Sequence, residues 1–178
     1  MFNILNDLTA TSMRILFTLA WDPDRWFHQR EVAKEAEVSL GSANRLLIRL
    51  VEGGLVSYER RGSLHRYRFN LGSPVARQFK ILLNVSDLDP LTSMLVNISG
   101  RVILYGSCAR GTDGADSDVD LFVLTDDKDE AERLVSEYRS RHMISPIILD
   151  SSEYSRLRGS DKSLYDEIER GVVLWESG

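Results

Sequence analysis

The segment of residues 101–124 constrains the fold of this chain more than any other part of its sequence. An apolar run at residues 101–105 is followed by Gly106-Ser107, and a second apolar run begins at Asp118 after a polar loop. Apolar runs of this length, bounded by glycine and polar clusters, predict two buried strands joined by a turn, a short helix and a loop. Gly106 would let the backbone bend and approach a ligand, because it has no Cβ.

The aspartates that open the second run predict a cation site. Asp118 and Asp120 are two residues apart, so their side chains point to the same face of a strand. Two adjacent carboxylates repel each other unless a cation lies between them, and Mg²⁺ prefers oxygen ligands that include carboxylates and substrate phosphates. Ser107 offers a hydroxyl at the start of a helix whose free N–H groups favour phosphate, and Arg110 could clamp one. The alternative is an exposed acidic loop before an edge strand, which the preceding strand-Gly-Ser-helix pattern disfavours.

The string LYGSCARGTDGADSDVDLFVL, with ten residues between Ser107 and Asp118, resembles the minimal nucleotidyltransferase family of the polymerase β-like superfamily. The resemblance covers about residues 86–178, including the closing YDEIERGVVLW. It implies a small mixed sheet with helices on one face, and transfer of a nucleoside monophosphate from a nucleoside triphosphate (NTP) to a hydroxyl. The resemblance also implies which residues bind the nucleotide: Gly106, Ser107, Arg110 and Ser117. It implies that Asp118 and Asp120 are the catalytic residues and bind Mg²⁺.

The chain departs from that family at a third carboxylate, which normally comes from the next strand and helps to activate the acceptor hydroxyl. The expected position falls near Ser145, which is not acidic. Asp150 is the nearest acid, but it lies about 15 Å farther along the strand at ~3.3 Å per residue, where it would cap the next helix. Asp150 could substitute, His142 could help, or catalysis could be impaired.

The sequence pattern of the first half of the chain predicts several helices followed by a basic β-hairpin. Apolar spacing predicts helices over residues 4–20 and 29–37, a short strand at 26–28, and a helix that Ser39 caps and Gly53-Gly54 ends. In that last helix one stripe is expected to be buried: Leu40, Ala43, Leu46, Leu47, Leu50 and Val51. Residues 55–69 then alternate as a hairpin with Gly62 in its turn.

Polar and basic side chains on this half predict contact with double-stranded DNA. The exposed face of the capped helix and the hairpin carry candidates for base and phosphate contacts: Ser42, Asn44, Arg45, Arg49, Arg60, Arg61, Arg66 and Arg68. His65 is a further basic residue on the predicted hairpin. The order of elements resembles a winged helix-turn-helix domain over about residues 9–70. Such domains also dock proteins, and the arginines could instead be a solvated face.

We therefore predict an α+β chain with a winged helix at residues 1–72, a helical linker at 73–98 and a small α/β nucleotidyltransferase domain at 99–178. The linker is expected to be two helices, broken at residues 87–90, that pack the modules together or form a homodimer interface. Charge supports two modules, because residues 1–80 carry 12 Lys and Arg against 8 Asp and Glu, whereas residues 81–178 carry 10 against 19.

Composition limits the classes of protein to which the chain can belong. Hydrophobic residues make up 43% and charged residues 28%, as in globular proteins. No apolar run approaches the ~20 residues that span a bilayer, and no apolar signal region opens the chain. Cys108 is the only cysteine, which excludes an intrachain disulfide and a cysteine-based zinc site. We expect its side chain to be a small apolar group that packs on the inner side of a short helix. We expect a soluble, cytoplasmic protein that does not bind membranes.

Two functions fit these patterns. The first is an Mg²⁺-dependent nucleotidyltransferase with a protein acceptor, as in related antitoxin-type members that act on toxins, and with an autoregulatory DNA-binding module. The chain offers no large second substrate domain, which favours an acceptor that docks from outside. The second is a DNA-binding transcriptional regulator whose nucleotidyltransferase domain is a degenerate nucleotide sensor or docking module. Modification of a small molecule, as in aminoglycoside-modifying enzymes, is less well supported.

Overall fold

A computed structural model describes residues 8–178 of the chain. Contacts divide the chain into two compact units, with the boundary between Phe79 and Lys80. None of the helices in residues 8–178 is long and apolar enough to cross a membrane. Both units mix helices and strands, so the predicted α+β class is confirmed.

Within residues 8–73, the first unit contains three helices and a three-stranded antiparallel sheet. In chain order the elements are α1 (Ala10–Trp21), β1 (Phe27–His28), α2 (Gln29–Glu35), α3 (Leu40–Glu52), β2 (Val56–Arg61) and β3 (Leu64–Phe69), and the sheet order is β1-β3-β2. Helix α1 begins later than predicted, because Thr9 accepts a hydrogen bond from the Ser12 backbone N–H and caps it. Residues 4–7 lie outside the described part of the chain.

Helix α3 has the predicted cap and a narrower buried stripe than predicted. The Ser39 hydroxyl accepts from the Ser42 N–H at 3.1 Å. Within α3 only Ala43, Leu47 and Leu50 are buried, and Leu40 is 46% exposed because it occupies the first turn. The left-handed residue is Gly54, at φ +72°, and not the C-cap residue Gly53, at φ −77°.

The second unit is built on a four-stranded mixed sheet. Its elements are α4 (Pro74–Leu95, which begins before the boundary), β4 (Arg101–Tyr105), α5 (Gly106–Arg110), β5 (Val119–Leu124), α6 (Lys128–Glu137), β6 (Ile144–Leu149), α7 (Ser151–Ser160), α8 (Lys162–Glu169) and β7 (Val172–Glu176). The strand order is β6-β5-β4-β7; β5 and β6 are parallel, and the other neighbours are antiparallel. The predicted mixed sheet is confirmed.

The expected break at residues 87–90 is wrong, because α4 runs continuously with Pro90 inside it. A proline within a helix removes one hydrogen bond and costs about 3 kcal/mol. Leu88, Leu91 and Leu95 flank the proline and are at most 1% exposed in the core of the second unit. Burial of leucine side chains contributes roughly 1.5–3 kcal/mol each, which outweighs the lost bond.

Helices cover both faces of the sheet, so the expectation of helices on one face is also wrong. One face packs against α4 and α6, through a cluster that includes Leu104, Leu121 and Ala131. The opposite face packs against α7 and α8, through a cluster that includes Phe122 and Ile168. Adjacent strand residues alternate between the two clusters, as side chains do along a strand.

Candidate functional site

The Gly-Ser turn and the aspartate pair meet at one end of β4 and β5. Tyr105 and Asp120 are partners in the antiparallel register, so Gly106 directly follows the residue that pairs with Asp120. Gly106 has φ +69°, and a Cβ placed there would lie 1.9 Å from Oδ2 of Asp120. A side chain at position 106 is thus excluded twice, by the backbone conformation and by the carboxylate. This close approach explains why a glycine stands at this position.

A buried polar cluster holds the loop between the two halves of the motif. Asp113 lies in that loop, and its Oδ2 is 2.9 Å from Nζ of Lys80 on α4; both side chains are 0% exposed. Asn84, one turn further along α4, donates to Oδ1 of Asp113 at 2.9 Å and to the carbonyl of Cys108 at 3.0 Å. The sequence-based reasoning missed all three residues, because a Lys and an Asn on a helix give no sign that they face inward.

Two further contacts shape the same loop. The Ser117 hydroxyl accepts from the Gly114 N–H at 2.9 Å, so Ser117 closes a turn within the loop. The Cys108 thiol is buried and donates to the carbonyl of Asp118 at 3.4 Å, which confirms Cys108 as an inward-facing filler. Burial, with the charge of Asp113 second, raises the pKa of this thiol to about 12.

The aspartates occupy different environments. Asp118 is exposed immediately before β5, and Asp120 is half-buried within it. Burial raises the pKa of Asp120, and the negative charges of Glu167 and Asp118 raise it further, against an opposing effect of Arg110. The carboxylate pair is therefore electrostatically unfavourable by itself, and a cation at this position would relieve the repulsion.

A small cavity lies beside Gly106. It has a volume of about 250 Å³ and is lined by parts of α5, of α8 and of the turn after α8: Gly106, Ala109, Arg110, Ser163, Glu167, Arg170 and Gly171. Across it, Nη1 of Arg110 is 3.0 Å from Oε1 of Glu167. The sequence-based reasoning selected Gly106 and Arg110 but missed the α8 residues. Their only sequence signal is the spacing of Leu164 and Ile168, which indicates the inward face of α8.

The strand beside β5 carries no acid at the level of the pair. Ser145 is the register partner of Asp120 in the parallel pairing of β5 and β6. Asp150 follows the end of β6, and its side chain accepts from the N–H groups of Ser152 and Glu153, so it caps α7 as the sequence suggested. Asp150 lies five positions after Ser145 and beyond the end of β6, so it is well separated along the strand from the register partner of Asp120.

Metal binding would rest on the two aspartates. Within residues 8–178, no group of three or more His, Cys, Asp or Glu side chains is arranged to hold a metal ion. Two carboxylates fit Mg²⁺, which is commonly held by one or two carboxylates together with substrate phosphates and water. The donor set of Asp118 and Asp120 therefore fits Mg²⁺ that arrives with a nucleotide.

The predicted DNA-contacting residues fall into two groups on the first unit. Those on α3 include Asn44, Arg45 and Arg49, whose side chains are exposed, and Ser42, whose hydroxyl accepts from Ser39 at 2.9 Å. Those on the hairpin are largely engaged within the unit. Arg60 donates to the Gly62 carbonyl, Arg61 and Arg66 both pair with Glu59, and Arg66 and Arg68 stack on Trp26.

Comparison with known families bears on the second unit. Residues 85–169 match the model of the nucleotidyltransferase domain family. This segment runs from within α4 to the end of α8, so it includes the Gly-Ser turn, the aspartate pair and Glu167. No curated protein and no solved structure matched the chain. The nucleotidyltransferase match supports transfer of a nucleoside monophosphate as the general class of activity, and it does not reach the first unit.

Proposed function

We propose that the nucleotidyltransferase domain transfers a nucleoside monophosphate from an NTP to a hydroxyl, with Mg²⁺ bound by Asp118 and Asp120. The contact between Gly106 and Asp120 carries this proposal, because it puts a side-chain-free backbone turn directly against one carboxylate of the pair. A bound triphosphate could approach the backbone of Gly106 and Ser107 there, within reach of the paired carboxylates.

Each residue has a separate role in this mechanism. Gly106 and Ser107 receive the triphosphate, and Arg110 at the edge of the cavity neutralises part of its charge. Ser117 acts indirectly, since its hydroxyl closes the loop that leads to Asp118. Bound Mg²⁺ would stabilise the negative charge that develops on the transferred phosphoryl group. The buried cluster around Asp113 keeps the two halves of the motif at a fixed separation.

The acceptor in this proposal is a hydroxyl on a protein partner, such as a toxin. The cavity of about 250 Å³ is small, since sites for small molecules usually have ~300–1,000 Å³. Asp118 is exposed, so a hydroxyl on the surface of a macromolecule could reach the aspartate pair from outside. The geometry therefore favours a docked macromolecular acceptor over an enclosed small one.

Label transfer tests this proposal. The purified protein is incubated with each α-³²P-labelled NTP, Mg²⁺ and lysate from its source, beside the Asp118→Asn, Asp120→Asn variant. The matched control is Asp126→Asn, Asp129→Asn, which removes two exposed charges past the far end of β5. We expect a labelled macromolecule with the wild type and the control only. Equal labelling by the site variant would refute the proposed roles of the aspartates.

We also propose that the first unit binds double-stranded DNA as a winged helix, with α3 in the major groove. The exposed side chains of Asn44 and Arg45 support this, because Asn and Arg can make paired contacts with base edges. We expect Arg45→Ala to weaken specific duplex binding by about 1–3 kcal/mol and to relax the sequence preference. Arg14→Ala, an exposed arginine on α1, is the control. Arg66 is less suitable for this test, because it also pairs with Glu59.

A second function is favoured by one observation. Ser145 stands opposite Asp120, where the resembled family has an acid, so the domain could bind a nucleotide without turnover. The chain would then be a DNA-binding regulator that senses nucleotides or docks a protein. Mg²⁺-dependent NTP binding that alters duplex affinity, with no labelled product for any NTP, would select this function over the enzyme.

A further inference from the structure

We propose that Glu167 on α8 is the general base that replaces the missing acid at position 145. This inference rests on the proposed nucleotidyl transfer. It assigns to a helix the task that the resembled family gives to a strand. Three features of the second unit carry it: the face on which Glu167 lies, the rigidity of that position, and the cavity that it shares with Gly106.

Glu167 lies on the same side of the sheet as Asp120. Its neighbour Ile168 is 0% exposed and packs in one cluster with Tyr105 and Phe122. Tyr105 is the register partner of Asp120, and Phe122 is two residues from Asp120 on β5, so all of these side chains share a face. Helix α8 therefore covers the face from which the carboxylate of Asp120 projects.

The end of α8 is held closely against β4. A Cβ placed at Gly171 would lie 2.5 Å from the carbonyl oxygen of Leu104 and 2.5 Å from Cγ2 of Ile103. The backbone after α8 thus contacts β4 directly, two residues before Gly106. This contact places Glu167, four residues before Gly171, at a fixed position beside the Gly-Ser turn.

Glu167 faces the cavity beside the turn. Its side chain is 45% exposed, lines this cavity together with Gly106, and pairs with Arg110 at 3.0 Å. Its charge also acts on Asp120, whose pKa it raises more than Asp118 does. Glu167 is therefore an acid of the site, although it is not part of a three-carboxylate metal cluster. Because Glu167 is not one of the proposed Mg²⁺ ligands, its carboxylate is available to accept a proton once Arg110 releases it.

The reaction step follows from this position. The carboxylate of Glu167 accepts the proton of the acceptor hydroxyl, while the acceptor oxygen forms a bond to the α-phosphorus of the NTP. The bond from the α-phosphorus to the bridging oxygen of the β-phosphate breaks, and pyrophosphate leaves with that electron pair. The proton on Glu167 then passes to solvent. Arg110, which holds Glu167 before the nucleotide binds, would transfer its contact to the triphosphate and release the carboxylate.

The test compares Glu167→Gln with two other single variants and one double variant. Asp166→Asn is the matched control, because Asp166 is on the same helix and pairs only with Lys162 among the ion pairs of residues 8–178. Ser145→Asp restores an acid at the register partner of Asp120, and the double variant combines it with Glu167→Gln. Initial rates of α-label transfer give kcat for each, and calorimetry with Mg-NTP gives nucleotide affinity.

We expect Glu167→Gln to lower kcat about 100-fold or more, the usual contribution of a general base, with Mg-NTP affinity unchanged or tighter. We expect Asp166→Asn to match the wild type and Ser145→Asp to recover at least about tenfold in the Glu167→Gln background. A kcat of Glu167→Gln within about threefold of the wild type would overturn the inference but leave the proposed function intact. No transfer by the wild type, with transfer gained in Ser145→Asp, would overturn both.

Discussion

The buried pair of Lys80 and Asp113 gives the sharpest prediction about stability. Both side chains are 0% exposed and their charged atoms are 2.9 Å apart. Removal of one partner of a buried pair leaves an uncompensated charge and costs about 3–5 kcal/mol. We therefore expect Lys80→Met to reduce the free energy of unfolding by that amount. The second unit spans residues 80–178, a size for which 1 kcal/mol shifts Tm by roughly 4–8 °C, so we expect a loss of at least about 12 °C.

A double-mutant cycle separates the ion pair from a simple loss of packing. Asp113→Asn retains an oxygen that can accept the hydrogen bond from Asn84. We expect the variant with both Lys80→Met and Asp113→Asn to be more stable than Lys80→Met alone, with a coupling energy of about 2 kcal/mol or more. Urea unfolding followed by circular dichroism measures each variant. Additive losses, or a cost of Lys80→Met below about 1 kcal/mol, would refute the reasoning.

Three further predictions concern the motif and its surroundings. Gly106→Ala should abolish label transfer and destabilise the fold by at least about 1–2 kcal/mol, because its Cβ meets Asp120 in a left-handed conformation; Gly159→Ala, with open space around it, should do neither. Cys108, with its raised pKa, should react with a thiol reagent at pH 8 on the order of a thousandfold more slowly than a free cysteine, and unfolding in urea should remove the difference. Asp150→Asn, which keeps a capping side chain, should retain full label transfer; loss of transfer with the fold intact would return Asp150 to the site.

Local patterns were enough to predict most helices and strands and the two segments that meet at the candidate site. Alternating and helical spacings predicted both strands of the motif, the capped helix α3 and the hairpin, because these signals depend on neighbours in sequence. Counting along the chain also predicted that the third acid of the resembled family would fall near Ser145, which is not acidic. The register of β5 with β6 agrees, because it pairs Ser145 with Asp120. The contact between Gly106 and Asp120 follows from a different register, that of β4 with β5, in which Tyr105 pairs with Asp120.

The features that the sequence did not predict depend on packing between segments that are distant in the chain. Pro90 predicted a helix break, but the burial of Leu88 and Leu91 keeps α4 continuous. Lys80 and Asp113 look like ordinary surface charges in the sequence, and only the fold brings them together. Glu167 is 47 residues from Asp120 in the chain, and no local pattern relates a residue on the last helix to the motif.

The most direct test of the central claim compares two labels on one nucleotide. Purified protein and lysate from its source, which supplies the acceptor, are incubated with Mg²⁺ and each NTP in turn, labelled with ³²P at either the α- or the γ-phosphate. Transfer of a nucleoside monophosphate predicts label on the acceptor from the α-labelled NTP alone, with the γ-label recovered in pyrophosphate. Label on the acceptor from the γ-labelled NTP, or none from either while Mg-NTP binds, would contradict nucleotidyl transfer at the Gly106 and Asp120 site.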